Sequence, residues 1–159
     1  VKCIFNNSCL AFHKGLVDVL PRKVSKIKIK IRHFKYFFIT FNQNNKLFTI
    51  LKKRTENDIW KGLYEFPLIE GSKEIFDENF LNKEPINHLI KPDQSVIRSV
   101  SKTYAHKLTH QKINATFIHI SSKEHIKDTP QGYIVVPVSA MHDYPVSRLM
   151  DKYLKNHSF

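Results

Sequence analysis

The sequence predicts a mixed α/β (α+β) domain, in which a mixed β-sheet is flanked by helices and preceded by a helical tail and a basic linker. Two observations support this prediction. Segments rich in β-branched and aromatic residues recur between turn signals, and segments with helical spacing stand among them. Hydrophobic residues make up 42% of the 159 residues, which is enough for one packed domain.

The first 32 residues predict two segments that precede the compact domain. Apolar residues near helical spacing predict a short helix over residues 8–20, and Pro21 stops it. In the segment after Pro21, isoleucines alternate with basic residues, which is strand spacing with one charged face. The alternation changes near Arg32, so we expect a linker boundary there and the compact domain from His33 onward.

Two strands joined by a tight turn are predicted to open the domain. The stretch "HFKYFFITF" is apolar at nearly every position, which indicates a buried strand over residues 33–41. The stretch "NQNN" predicts a hairpin turn, and "KLFTILKK" predicts the returning strand over residues 46–53. The aromatic segment 58–71 predicts a short strand between two loops.

Two helices and three further strands complete the predicted domain. Ser72 is a candidate N-cap for a helix over residues 72–83, and a terminal helix is expected to begin near Pro145. Runs of β-forming residues predict the strands, which cover residues 94–104, 110–121 and 132–141.

Charge is distributed very unevenly along the chain. The formal net charge is +12, with no Asp or Glu between Val19 and Thr55 and none between Gln94 and Lys123. A polarised basic surface most often binds nucleic acid, and less often an anionic membrane or a nucleotide. The alternative is a solvated face that serves solubility alone.

Other features restrict the class of protein. No apolar run is long enough to span a membrane, and no signal-peptide pattern is present. The two cysteines, Cys3 and Cys9, do not form a disulfide framework, so a reducing cytoplasm is expected. The chain begins at Val1 rather than Met and is expected to be a piece of a longer protein.

The stretch "WKGLYEFP", from Trp60 to Pro67, resembles the approach to the Nudix box of Nudix hydrolases. In that family it leads into Gly-x5-Glu-x7-Arg-Glu-U-x-Glu-Glu, whose carboxylates hold magnesium against a diphosphate. Here the expected glycine falls at Ile69 and the first glutamate at Ile75, while the last glutamate pair falls at Asn87 and His88. The resemblance therefore implies a degenerate Nudix-like fold without the hydrolase site.

A second resemblance starts at "CIFNNSC", in which Cys3 and Cys9 are similar to the last two ligands of the iron–sulfur loop of MutY-family glycosylases. The stretch "LPRK" resembles the start of that family's interdomain connector. Together with the Nudix-like region, the chain resembles the C-terminal part of an A/G-specific adenine DNA glycosylase. The resemblance implies a loop and helix remnant at 1–20, a basic connector at 21–32 and a Nudix-like domain at 33–159.

This resemblance implies a role in base excision repair, namely recognition of 8-oxoguanine opposite adenine. The catalytic residues would belong to a preceding domain, so none is assigned here, and the full-length protein is expected to be the glycosylase. A [4Fe–4S] cluster takes four thiolates, so Cys3 and Cys9 would be two of four ligands; the cofactor is expected in the full-length protein and not in this chain. The expected partner is double-stranded DNA with an 8-oxoguanine:adenine mispair, and no membrane partner is expected. The expected location is the bacterial cytoplasm, in association with the nucleoid. The sequence leaves the oligomeric state open, and a monomer is expected.

The stretch "YAHKLTHQK" contains the predicted lesion reader. MutY-family proteins approach the lesion with a loop between two strands, often Phe-Ser-His, and Leu108, Thr109 and His110 match it here. Oxidation at C8 makes N7 of guanine a donor and adds a carbonyl oxygen, and a Thr hydroxyl can both donate and accept. Such a contact could discriminate by roughly 1–3 kcal/mol. The predicted DNA- and lesion-binding residues are His106, Lys107, Leu108, Thr109, His110 and Lys112.

The simpler interpretation of this stretch is an ordinary strand, in which His106, Leu108 and His110 share one face. The connector is the second predicted DNA contact, because it carries basic residues with no acid among them. Its predicted DNA-binding residues are Arg22, Lys23, Lys26, Lys28, Lys30 and Arg32.

Two other functions remain open from the sequence. The densest acidic region contains Glu65, Glu70, Glu74, Asp77 and Glu78. These carboxylates could serve an active Nudix-type nucleotide pyrophosphatase with a non-standard metal site. Alternatively, the acidic region could make the domain a protein-interaction module that docks a basic partner.

Overall fold

A computed structural model describes residues 3–21, 28–71, 78–123, 126 and 129–157. Eight strands form one sheet: β1 (Lys30–Gln43), β2 (Lys46–Lys53), β3 (Tyr64–Glu65), β4 (Leu68–Gly71), β5 (Ser95–Val100), β6 (Tyr104–Lys107), β7 (Gln111–Ser122) and β8 (Tyr133–Pro137). The described residues contain two α-helices, α1 (Leu10–His13) and α2 (Arg148–Lys155). Short 3-10 helices cover Glu78–Asn82, Ile86–His88, Pro92–Gln94 and Val138–Asp143.

Strand β1 is the centre of the sheet, which has the order β3-β2-β1-β7-β5. Strands β4, β6 and β8 pair with β1, β7 and β2 respectively, outside that path. Strand β1 is parallel to β7, from the pair Lys30–Gln111 to the pair Phe41–Ser122. It is antiparallel to β2 and β4. The prediction of a mixed β-sheet in an α+β fold is therefore confirmed.

Both faces of β1 are covered, which explains its nearly continuous apolar sequence. On one face, Phe34 and Tyr36 belong to a buried cluster that includes Tyr153 of α2. On the other face, Phe37 and Ile39 pack in a second cluster with residues of the short 3-10 helices. The predicted buried strand and its hairpin are confirmed.

The predicted helix over residues 8–20 is much shorter in the structure, because α1 covers only Leu10–His13. Gly15 has φ of +62°, a left-handed conformation that ends a helix. The terminal helix begins at Arg148 rather than near Pro145. Its N-cap is Ser147, whose Oγ accepts a hydrogen bond from the Met150 N–H at 3.3 Å.

Three predicted strands have different bounds in the structure. The single strand expected over residues 94–104 is two elements, β5 and β6, which pair with different parts of β7. The strand expected over residues 132–141 stops at Pro137, where a 3-10 helix begins. Pro67 separates β3 from β4 in the segment predicted to hold one short strand.

Residues 72–77 of the predicted helix over residues 72–83 lie outside the described part of the chain, and residues 78–82 form a 3-10 helix. The predicted linker boundary at residues 32 and 33 falls inside β1, which begins at Lys30. The division of the chain into three functional parts stays a prediction. In the described ranges, no helix has the length and apolar character needed to cross a membrane.

Candidate nucleic-acid interface

The predicted lesion reader lies in the loop between β6 and β7. The two strands are antiparallel, and the Leu108 N–H donates a hydrogen bond to the Gln111 carbonyl at 2.8 Å. Thr109 and His110 form the exposed tip of this hairpin. The alternative of one continuous strand through these residues is therefore wrong, since residues 108–110 are the turn.

The described end of the predicted connector lies beside this hairpin. The Lys30 N–H donates a hydrogen bond to the His110 carbonyl at 3.0 Å, and β1 then continues alongside β7. The side chains of Lys28 and Lys30 are exposed. Two segments that are far apart in the sequence, and that were separately predicted to contact DNA, thus share one end of the sheet.

Two lysines of the hairpin form a direct cross-strand pair. Lys107 of β6 stands opposite Lys112 of β7 in the antiparallel register. Like charges directly opposite each other repel and destabilise a strand pair. A polyanion bound at this end of the sheet would relieve that repulsion, which is the electrostatic behaviour expected of a phosphate-binding surface.

The inner side of the hairpin packs on the domain through Leu108 and His106. Leu108 is partly buried against the cluster that contains Phe34. The His106 ring contacts the Trp60 ring edge-on, with centroids 5.8 Å apart, and Trp60 in turn contacts Phe34 at 6.2 Å. Trp60 has φ of +61°, which is uncommon for a bulky residue. Residues in such conformations are found most often at functional sites.

Arg32 does not have the exposed position predicted for a connector residue. Its side chain is only 8% exposed. Its guanidinium donates two hydrogen bonds to Asp58 at 2.8 and 2.9 Å, two to Glu70 at 2.5 and 2.6 Å, and one to Gln111 at 3.0 Å. Because these bonds use the whole guanidinium, Arg32 is a structural group in this conformation and has no N–H left for phosphate.

A second ion-paired group lies next to Arg32. Arg54 binds Glu65 through two contacts of 2.9 Å and binds Asp58 at 2.9 Å, while the Tyr36 hydroxyl donates to Glu65 at 3.0 Å. Burial raises the pKa of Glu65 despite Arg54, and it also raises the pKa of Tyr36. The hydrogen bonds from Arg32 lower the pKa of Asp58 to about 2. A polar cavity of about 320 Å³ is lined by both arginines and by the carboxylates that they bind, Asp58, Glu65 and Glu70.

This arrangement bears on the alternative of a metal-dependent pyrophosphatase. Glu65 and Glu70 already bind guanidinium groups, and the side chains of Glu74, Asp77 and Glu78 lie outside the described part of the chain. Among the described residues, no group of three or more His, Cys, Asp or Glu side chains could hold a metal ion. Glu65 and Glu70 thus serve ion pairs, and Nudix chemistry needs carboxylates free to bind metal.

The remaining predicted residues fall in different places. Cys3 is exposed and Cys9 is partly exposed, and both are free thiols. The connector residues whose structure is outside the described ranges are Arg22, Lys23 and Lys26.

The sequence did not predict that three further residues belong to this region. Gln111 ties the base of the hairpin to Arg32, Asp58 is shared between two arginines, and Trp60 contacts His106. Trp60 had been noted only as the first residue of the stretch that resembles the approach to the Nudix box. For Gln111 and Asp58 the sequence carries no signal, because their partners are remote along the chain.

A family model described as the NUDIX domain matches residues 36–156, most of the chain. The chain belongs to the Nudix domain family. No protein with a curated description matches the sequence.

Solved structures with the same fold include the C-terminal domain of MUTYH and Nudix hydrolases. The C-terminal domain of mouse MUTYH, in a complex with human PCNA, has a TM-score of 0.64 and 13% identity, over 78% of this chain and 85% of that one. The Nudix hydrolase RenU from M. smegmatis has a TM-score of 0.57 and 12% identity, over 78% and 84%. The C. elegans Ap4A hydrolase has a TM-score of 0.56 and 10% identity, over 79% and 94%. At such identities the similarity shows the fold alone.

Proposed function

We propose that this chain is a lesion-recognition module in DNA repair, the non-catalytic C-terminal domain of an adenine DNA glycosylase, and that it binds duplex DNA with 8-oxoguanine opposite adenine. The observation that carries the proposal is the hydrogen bond between the Lys30 N–H and the His110 carbonyl. It joins the end of a basic connector to the tip of a basic hairpin, so both can face one duplex. The similarity to the MUTYH C-terminal domain supports this choice among Nudix folds.

The two kinds of contact would have different roles. Lysines bind phosphates without reading sequence, and Lys30, Lys107 and Lys112 lie at the same end of the sheet. The exposed Thr109 hydroxyl can accept from the N7–H of 8-oxoguanine or donate to its new oxygen. Leu108 is partly buried and would offer only an aliphatic edge to the base stack.

Adenine removal is assigned to a domain outside this chain. Enzymes that cleave a base from DNA first turn it out of the duplex into a closed pocket, and that work would fall to the catalytic domain. Cys3 and Cys9 supply two thiolates, which do not suffice for a [4Fe–4S] cluster. We therefore propose the cluster for the full-length protein.

An NMR titration of the isotope-labelled chain with two duplexes tests the proposal. One duplex carries 8-oxoguanine opposite an abasic analogue, and the other carries guanine at that place. We expect the amides of Leu108, Thr109 and His110 to shift with the lesion duplex and to shift much less with the other. The lysine amides at the same end of the sheet are expected to shift with both.

A matched variant separates reading from electrostatic binding. Thr109→Val removes the hydroxyl and keeps the size and β-branching of the side chain, so phosphate contacts persist. We expect it to reduce lesion preference by about 5-fold or more, as for the loss of one base-edge contact. If both duplexes shift only the lysines, or if Thr109→Val keeps full preference, the lesion-reading role is wrong.

A further inference from the structure

The guanidinium of Arg32 connects three segments that are distant in the sequence. It binds Asp58 in the loop after β2, Glu70 in β4 and Gln111 at the start of β7. Both carboxylates are held by paired N–H groups, the geometry that fixes an arginine most firmly. The group is therefore a rigid anchor at the base of the β6–β7 hairpin.

The hairpin is attached to this anchor through both of its strands. On the β7 side, the Gln111 Oε1 accepts a hydrogen bond from the Arg32 Nη1 at 3.0 Å. On the β6 side, His106 contacts Trp60, and Trp60 contacts Phe34. The Arg32 guanidinium lies over the Phe34 ring, 4.9 Å from its centroid. These two attachments hold the base of the hairpin, and the hydrogen bond from the Lys30 N–H to the His110 carbonyl holds its tip beside β1.

We infer that Arg32, acting through Gln111, is a positioning residue that fixes the hairpin tip for lesion readout and makes no DNA contact itself. This inference rests on the proposed function. A hydrogen bond to a base edge requires placement within about half an ångström, whereas a lysine on a flexible stem tolerates movement. Loosening the anchor should therefore reduce discrimination between the two duplexes and leave phosphate binding nearly intact.

The sharpest perturbation is at Gln111, because Arg32 itself is buried in ion pairs whose loss would affect folding. Gln111→Ala removes the bond to the guanidinium and leaves Asp58 and Glu70 in place. Gln111→Glu keeps an acceptor oxygen at the same distance and should rescue positioning. Gln43→Ala is the matched control, since Gln43 is exposed at the other end of β1.

Two measurements distinguish this inference from the proposed function. Without DNA, hydrogen exchange of the Leu108 amide should become faster in Gln111→Ala by about 3- to 10-fold, as expected for losing one bond to a charged group at a partly exposed site. In Gln111→Glu and Gln43→Ala it should match the original chain. This measurement tests positioning even if the chain has no lesion preference.

With DNA, fluorescence anisotropy gives the ratio of affinities for the lesion and guanine duplexes. We expect this ratio to fall about 3- to 10-fold in Gln111→Ala and to be restored in Gln111→Glu. The negative charge added in Gln111→Glu should weaken binding to both duplexes equally, so it does not change the ratio. The inference would be overturned if Gln111→Ala weakened binding to both duplexes equally, or if it left hydrogen exchange of the Leu108 amide unchanged. A chain that shows no lesion preference at all would contradict the proposed function, and the exchange measurement would still decide on positioning.

Discussion

The lysines at the hairpin end of the sheet can be compared with lysines at the opposite end. Strand β1 has 14 residues, so at about 3.3 Å per residue its ends lie on the order of 40 Å apart. Lys107 and Lys112 are near its first residue, through the pairing of β1 with β7 and of β7 with β6. Lys46 pairs with Gln43 at its last residue, and one groove is lined by both Lys46 and Lys155.

Replacing Lys107 and Lys112 by glutamine should reduce the salt dependence of DNA binding. Each phosphate contact contributes about 0.9 to the slope of log K against log salt, so the slope should fall by about 1.8. Raising salt from about 50 to 200 mM costs about 3- to 4-fold per contact, so the original chain should lose about tenfold more affinity than the variant. Anisotropy with the guanine duplex measures this.

The control is the variant with Lys46→Gln and Lys155→Gln, which removes the same charge from the far end. Its slope should stay close to that of the original chain, because phosphates bound at the hairpin end lie well beyond a Debye length from it. A slope that falls equally in both variants would show that binding follows net charge rather than this surface.

Three further predictions follow from the ion pairs and the aromatic core. The pKa of Asp58 is lowered from 3.8 to about 2, so its contribution to folding is complete above about pH 4 and is lost as pH falls through 2. Asp58→Asn should therefore cost about 1–2 kcal/mol of unfolding free energy at pH 7 and only a small part of that at about pH 2, measured by urea unfolding. Phe117 is stacked between two tyrosine rings, with centroid distances of 5.1 and 4.0 Å, so Phe117→Leu should cost about 1–3 kcal/mol in the same measurement. The pure chain, incubated with nucleoside triphosphates and magnesium, should release no pyrophosphate or monophosphate, because Glu65 and Glu70 are ion-paired with arginines.

Each of these outcomes has a clear opposite. A constant cost of Asp58→Asn between pH 7 and 2 would mean that the ionised carboxylate is not the stabilising form. A Phe117→Leu variant as stable as the original chain would mean that the stacking of the three rings makes no measurable contribution to the free energy of unfolding. Metal-dependent nucleotide hydrolysis by the pure chain would restore the pyrophosphatase alternative.

Much of the sheet could be predicted because the signals are local. The apolar run of β1 reports burial on both faces, and the "NQNN" turn contains Asn44 and Asn45 at φ of 50° and 58°, the conformation that a tight hairpin favours and that asparagine tolerates. The loop position of residues 108–110 could also be predicted, through the resemblance. In these places the local structure is determined by residues that are close together in the sequence.

The role of Arg32 could not be predicted, because its partners are distant in the sequence. Asp58 is 26 residues away and Glu70 is 38 residues away. In the sequence, Arg32 continues an alternation of basic residues and therefore reads as part of an exposed charged face. Only the folded sheet shows that three acceptors meet on that side of β1 and bury the guanidinium.

The pairing of β1 with β7 also has a kinetic consequence. Arg32 and Gln111 are separated by 79 positions, and the parallel register between these strands forms only after that long loop has closed. Such non-local pairing slows folding, because the entropy of closing the chain is lost before the contacts form. The β6–β7 hairpin can form early by itself, but it meets Lys30 only in the complete domain. A chain caught part-way through folding would therefore carry a hairpin without the adjoining lysines, so ability to bind DNA should return at the slowest refolding phase.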